Sequence, residues 1–291
     1  MASNEQIIHI NGVDLCVETF GLSTDPAIVL LGGAGSCMLS WHEDFCAMLA
    51  AGGRFVVRYD NRDHGRSTHY EVGNPTYDIG DVVDDVIGLL DALHIERAHV
   101  VGVSGGGAVA QLLAIEHADR LATVTLSSTT PGGPGHETPD LPPMSEALRA
   151  SFETEQPEQD WSNRDETVAS LVDFERIFGA QSVPFDKAAA QQFWERVYDR
   201  SDSIGAQLTN PFMVGAGDPW RDRLADITTP TLVLHGTEDP MFPHEHGEAL
   251  AKEIPGAQLL SMETVGHENP PRRVWGVVVP AILEHTAHTR S

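Results

Sequence analysis

Short apolar runs alternate with longer amphipathic stretches in the first and last parts of the chain, and the middle departs from that rhythm. Residues 13–20 and 27–31 are β-prone runs separated by the turn-rich 21–26 (GLSTDP), and both read as strands. Residues 54–59 (RFVVRY) predict a third strand, followed by a polar loop over 60–67. Val82, Val83, Val86, Leu89, Leu90 and Leu93 then recur at the spacing of one helical face, which predicts a helix over 81–93. The run 98–103 (AHVVGV) is apolar almost without a break, as expected of a parallel strand covered on both faces; a helix over 107–118 and a strand over 122–127 follow. Strands alternating with helices of about a dozen residues predict βαβ units, right-handed crossovers and a mainly parallel sheet.

Near Pro131 the pattern changes. Residues 131–143 (PGGPGHETPDLPP) sustain neither helix nor strand, and the chain from there to about Arg223 has helical periodicity without convincing strands. Trp161, Phe174, Phe178, Phe193, Trp194, Tyr198, Phe212 and Trp220 are more aromatic residues than a solvated linker needs, so they are expected to pack on something. Alternation resumes with a strand over 231–235 (TLVLH), a helix near 245–254, a strand near 258–262 and a last helix over 274–285. The chain therefore reads as an α/β core over 1–133 and 226–291, interrupted by a helical cap over 134–225.

Chemistry concentrates at the ends of the predicted strands. Gly102-Val103-Ser104-Gly105-Gly106 stands directly after AHVVGV and before a helix, the setting in which G-x-S-x-G makes a nucleophile elbow. Glycines flanking the serine let neighbouring backbone approach, and the helix N-terminus favours negative charge developing beside it. A serine hydroxyl needs a base and an orienting carboxylate, which follow it in the order acid, then histidine, in this kind of fold. Asp239 lies just past TLVLH in GTEDP, with Glu238 as the competing acid, and His267 lies just past the last strand in VGHEN. An oxyanion hole needs the N–H after the serine, here Gly105, and a second N–H from an early loop. Residues 31–36 (LGGAGS) supply that loop, with Gly33 the favoured donor and Ala34 the alternative.

Composition narrows the partners. The chain has 291 residues with 18 Lys plus Arg against 43 Asp plus Glu, a formal net charge of −25 that repels phosphates. Nucleic acid and anionic membrane are excluded as expected partners, while neutral or cationic small molecules are not. With 41% apolar and 21% charged residues it reads as a soluble globular protein. Cys16, Cys37 and Cys46 are odd in number and crowded near the start, so no disulfide framework is expected and a reducing cytoplasm is. Residues 1–6 lack a basic stretch and an apolar core, and no run reaches the length of a membrane span, so neither leader nor anchor is expected. The chain lacks G-x-G-x-x-G, G-x-x-x-x-G-K-[ST] and H-E-x-x-H, although Asp60 at a strand end superficially resembles a ribose-binding acid. Neither a cofactor nor a metal is expected.

Taken together, the Gly32-Gly33 turn, the loop YDNRDHGRS (59–67), the elbow around Ser104, Asp239 and His267 resemble the α/β-hydrolase superfamily. That loop, with VVGVSGGG and GTEDP, is similar to the branch holding aclacinomycin methylesterase and related polyketide-tailoring or antibiotic-degrading esterases. The resemblance implies Ser104 as nucleophile, His267 as general base and acid, Asp239 as orienting carboxylate, and Gly33 with Gly105 as oxyanion donors. Many of that branch carry a bulky residue after the serine, so Gly105 implies a roomier acyl site. Serine at the elbow argues against epoxide hydrolases and haloalkane dehalogenases, which place aspartate there. The expected substrate is a small, largely apolar ester, including a macrolide lactone. Amide hydrolysis of the proline-iminopeptidase kind and ligand binding without turnover are the alternatives.

Overall fold

The two faces of the strands explain why the apolar runs are continuous. In β3 (Ala27–Leu31) Ala27, Val29 and Leu31 join one core cluster while Ile28 and Leu30 join another. In β5 (Ala98–Val103) Ala98 and Val100 join the first and Val101 and Val103 the second. The computed structural model describes residues 4–154 and 160–287, so residues 1–3 of the N-terminal stretch lie outside the described residues. The first cluster packs the sheet against α2 (Ile79–Ala92), α3 (Gly105–Glu116) and α8 (His244–Glu253). The second packs it against α1 (Glu43–Ala51) and α9 (Trp275–His285).

Among the described residues the sheet has eight strands: β1 (Gln6–Ile10), β2 (Val13–Phe20), β3, β4 (Phe55–Tyr59), β5, β6 (Leu121–Ser127), β7 (Thr231–Gly236) and β8 (Gln258–Met262). Their spatial order is β1-β2-β4-β3-β5-β6-β7-β8, antiparallel at β1/β2 and β2/β4 and parallel elsewhere. Parallel register pairs Leu31 with Gly102 and Val103 with Ser127, so β3, β5 and β6 end on one edge and release their loops there.

Three elements differ from the sequence reading, one of them helix α1 (Glu43–Ala51), for which no helix was expected between the strands at 27–31 and 54–59. Strand β1 has no counterpart in that reading either, and YDNRDHGRS therefore follows the fourth strand. The signal was present in Asn11-Gly12, whose φ values of 46° and 78° make a two-residue hairpin turn between Ile10 and Val13. Helix α3 starts two residues before the expected 107, immediately after Ser104, because its leading glycines read as loop.

Between β6 and β7 the described residues hold helices and no strand: α4 (Glu146–Glu153), α5 (Arg164–Phe178), α6 (Lys187–Arg200) and α7 (Ile204–Thr209). Val168 and Val172 of α5 meet Ala190 of α6, with Trp194 and Tyr198 packed beside them. Val197 and Ile204 meet Cys37, Met38 and Leu39, which seats α6 and α7 on the loop after β3. Trp220 is buried as expected of the aromatic set, whereas Phe174 and Phe212 are 38% and 59% exposed. Phe212 stands on a single turn after α7, with its ring over the position a Cβ on Gly35 would take, so it covers a loop and no core. The three thiols are buried and free, and burial pushes each up to about 12. No helix among the described residues is long and apolar enough to cross a membrane.

A buried ion pair ties the loop after β4 to α2. Arg62 donates to both carboxylate oxygens of Asp85 at 2.6 and 2.9 Å, with 6% and 2% of the two side chains exposed. Removing Asp85 leaves the buried Arg62 charge with only the more distant Asp81 carboxylate, at 3.7 Å, as an ionic partner. Asp85→Ala should therefore cost about 3–5 kcal/mol in urea or guanidinium unfolding, more than a surface carboxylate deletion by several fold.

Candidate active site

Ser104 sits between β5 and α3 with φ 53° and ψ −117°, a conformation that costs a non-glycine residue roughly 1–3 kcal/mol. Its surroundings hold it there. The Ser104 N–H donates to the Ser127 carbonyl at 3.0 Å, and its carbonyl accepts from the Gly107 N–H and the Thr129 hydroxyl, each at 2.9 Å. A Cβ on Gly102 would stand 2.2 Å from the Gly106 carbonyl oxygen, and one on Gly106 would stand 2.6 Å from that of Gly32. Both glycines of the motif are thus fixed by close backbone packing, and the turn holds the hydroxyl up from the strand edge.

His267 follows β8. Its N–H donates to the Phe178 carbonyl at 2.7 Å, and its ring lies between Phe178 and Phe242, with centroids 5.9 and 5.3 Å away. Nε2 is 3.0 Å from Ser104 Oγ, and Nδ1 is 2.9 and 3.2 Å from the two oxygens of Asp239. Because a carboxylate only accepts, Nδ1 carries the proton and Nε2 is left to accept from the serine. Asp239, past β7, is buried, and its Oδ1 accepts the N–H groups of Met241 and Phe242, each at 2.9 Å. The competing Glu238 turns away and accepts from the Ser182 N–H at 2.9 Å and from the Ser182 hydroxyl.

The loop after β3 closes a tight turn in which the Ser36 N–H donates to the Gly33 carbonyl at 3.1 Å and Gly35 takes φ 76°. Gly33 lies against the serine: a Cβ there would stand 3.2 Å from Ser104 Cβ. The Ala34 nitrogen is 3.3 Å from the place of a Cβ on Gly105, so a side chain after the serine would crowd that amide. Gly105 opens α3, and its N–H therefore has no partner within the helix.

A family model for the alpha/beta hydrolase fold matches residues 26–270. Rhodomycin D methylesterase DauP of Streptomyces sp. (strain C5) is 30% identical over 98% of this chain and 98% of its own. The rhodomycin D methylesterase DnrP of Streptomyces peucetius is also 30% identical, again over 98% of each chain. Among solved structures, the esterase RhEst1 from Rhodococcus sp. ECU1013 aligns with a TM-score of 0.74 at 26% identity, covering 97% of this chain and 98% of that one. The chain belongs to the α/β-hydrolase family. The esterase branch that the motifs resemble is the one in which these methylesterases stand.

Several residues around this hydrolase site have no motif of their own. Thr129 holds the Ser104 carbonyl, and Phe178 brings α5 onto His267. His235, the last residue but one of β7, donates from Nε2 to the Phe242 carbonyl at 2.7 Å. That bond closes the turn whose N–H groups face Asp239. A histidine ending the apolar run TLVLH, directly before GTEDP, was the available signal. Asp60, the ribose-like acid of the sequence, is buried among the Met38 N–H, the Arg66 N–H and the Arg200 guanidinium, which occupies it structurally.

Burial pushes the Asp239 carboxyl up, but the His267 charge and hydrogen bond, with His235 and the Phe242 N–H, more than offset this and hold it below its ordinary value. A depressed carboxyl contributes stability above its unfolded value of about 4, and loses that contribution as pH falls through its folded value. Stability measured by urea unfolding should therefore fall more steeply below pH ~4 in the native protein than in Asp239→Asn, in which that linkage is gone.

Proposed function

We propose that Ser104, His267 and Asp239 carry the reaction of this carboxylic ester hydrolase as nucleophile, general base and orienting acid. The observation that supports this most is the unbroken relay from Ser104 Oγ to His267 Nε2 at 3.0 Å and from His267 Nδ1 to Asp239 at 2.9 Å, with the serine in a strained turn. As Ser104 Oγ attacks the ester carbonyl carbon, its proton passes to His267 Nε2 and the carbonyl electron pair becomes an oxyanion. The N–H of Gly105 and that of Gly33 or Ala34 stabilise it; the short approach of the Ala34 nitrogen to Gly105 supports Ala34 beside Gly33. His267 returns the proton to the departing alcohol, and water repeats the sequence on the acyl-enzyme. None of these steps draws on a cofactor or metal.

The substrate fitting this reading is a small, largely apolar ester of the polyketide or antibiotic kind, as a methyl ester or as a lactone. The rhodomycin D methylesterases support it. So do the Phe178 and Phe242 rings against His267, and the edge-to-face cluster of Phe152, Phe174 and Phe178 beside them. The net charge of −25 tolerates a cationic group on the same molecule.

Hydrolysis of short-chain p-nitrophenyl esters, with intact-mass analysis of an aromatic polyketide methyl ester and a macrolide, tests the proposal. Ser104→Ala and His267→Ala should each lower kcat by about four to six orders of magnitude, and Asp239→Asn by about 10,000-fold. A methyl ester loses one CH2 in mass and a lactone gains one water, which separates the two substrates. Turnover by Ser104→Ala at the native rate would overturn the nucleophile assignment. Tight ester binding with neither leaving-group release nor a serine adduct would identify a binding protein instead.

A further inference from the structure

The loop YDNRDHGRS is the most distinctive stretch of the sequence, yet no atom of it enters the relay. Its contacts run to the turn after β3. Gly65 donates its N–H to Gln207 Oε1 at 3.1 Å, and Gln207 Nε2 donates to the Gly35 carbonyl at 3.0 Å. Gln207 stands on α7 and is fully buried. One partner is a donor and the other an acceptor, so the carboxamide fits in only one orientation. Asp60, in the same loop, takes the Met38 N–H at 2.7 Å and is itself held by Arg200 at 2.7 Å.

The turn needs such a clamp. Gly32, Gly33 and Gly35 leave the stretch with little conformational preference of its own, and the single Ser36-to-Gly33 bond does not fix how its peptide planes are rolled. Oxyanion stabilisation depends on that roll, because a donor must point at the place where charge develops.

We propose that Gln207 is a positioning residue for the oxyanion-stabilising turn, holding the Gly33–Ser36 backbone through the Gly35 carbonyl against the socket formed by Gly65. This rests on the reading of Ser104 and its oxyanion donors given above. Gln207 touches neither the serine nor the histidine, so its effect is on the transition state and not on whether the serine is present.

Gln207→Glu tests it in the full chain, since glutamate keeps the acceptor for Gly65 and loses the donor to Gly35. Gln207→Met, similar in length and without either hydrogen-bonding group, serves if glutamate is not tolerated. With active sites counted by a fluorophosphonate label, kcat on a p-nitrophenyl ester should fall about 10- to 100-fold with KM within about twofold. Affinity for a trifluoromethyl ketone, which gains an oxyanion when Ser104 adds to it, should fall by the same factor, while affinity for the product alcohol stays unchanged. The ratio of Gln207→Glu to native kcat should rise as pH falls, because a protonated carboxyl can again donate to Gly35.

Unchanged kcat per labelled site, whatever the loss in melting temperature, would make Gln207 merely structural and overturn the proposal. A rise in KM with kcat intact would overturn it too, by assigning Gln207 to substrate binding. Should the native protein form no serine adduct, the nucleophile reading fails and takes this proposal with it. Should native protein and variant acylate at one rate, the Gln207 proposal alone fails.

Discussion

The β5–α3 turn folds back on itself so tightly that a Cβ on Gly102 would stand 2.2 Å from the Gly106 carbonyl oxygen, and it passes so close to the end of β3 that one on Gly106 would stand 2.6 Å from the Gly32 carbonyl oxygen. The approach to β3 follows from its parallel register beside β5, which pairs Leu31 with Gly102 and brings the two strand ends level. It also puts Gly33 against Ser104 and the Ala34 nitrogen beside Gly105. The strained φ of 53° at Ser104 is sustained because the Ser127 carbonyl, the Gly107 N–H and the Thr129 hydroxyl all bind that one peptide neighbourhood. Strain persists only where its surroundings over-determine it, and here they come from β6 as well as from α3.

Electrostatics is arranged on the same frame. A chain with a net charge of −25 still buries Arg58, Arg62 and Arg200, each against carboxylates. The Arg62 and Arg200 pairs hold the loop after β4, while Arg58 ties β4 to β2 through Glu18. Asp239 is buried without an arginine; two backbone N–H groups and His267 take that role. An arginine salt bridge there would satisfy the carboxylate independently of the imidazole. Backbone donors on Oδ1 leave Oδ2 to orient the imidazole and, in the proposed reaction, to stabilise it when it takes up a proton.

Much of this was legible in the sequence because it depends on local pattern. Continuous apolar runs mark strands buried on both faces, and residues 98–103 and 258–262 match β5 and β8 at both ends. The order of serine, acid and histidine, with each past a strand, is also local information, and the structure brings all three within hydrogen-bond reach. What the sequence did not disclose depends on contacts between distant segments. Phe178 was visible as one of several aromatic residues, but not its carbonyl on the His267 N–H. Gln207 has no periodicity or motif at all, since its role is defined by one donor and one acceptor from loops 142 and 172 positions away. Strand β1 is a different failure: the Asn11-Gly12 turn was a local signal, masked by the charged and polar residues around it.

The helices between β6 and β7 are therefore part of the frame around Ser104 and His267. The α5 terminus fixes the backbone of His267 through Phe178, and Ser182 engages Glu238 next to Asp239. Farther along, Arg200 holds Asp60, Asp202 donates its N–H to the Gly65 carbonyl at 2.8 Å, and Gln207 holds Gly65 and Gly35. Histidine, acid and the turn after β3 thus each have a neighbour tied to the same segment, and for the histidine and the turn the ties are backbone or buried polar bonds whose loss strands a partner. A segment that only covered a pocket could vary freely in sequence at such contacts. This one constrains the geometry of the residues it touches, so changes in its sequence must leave these contacts in place if the serine, histidine and turn are to keep their alignment.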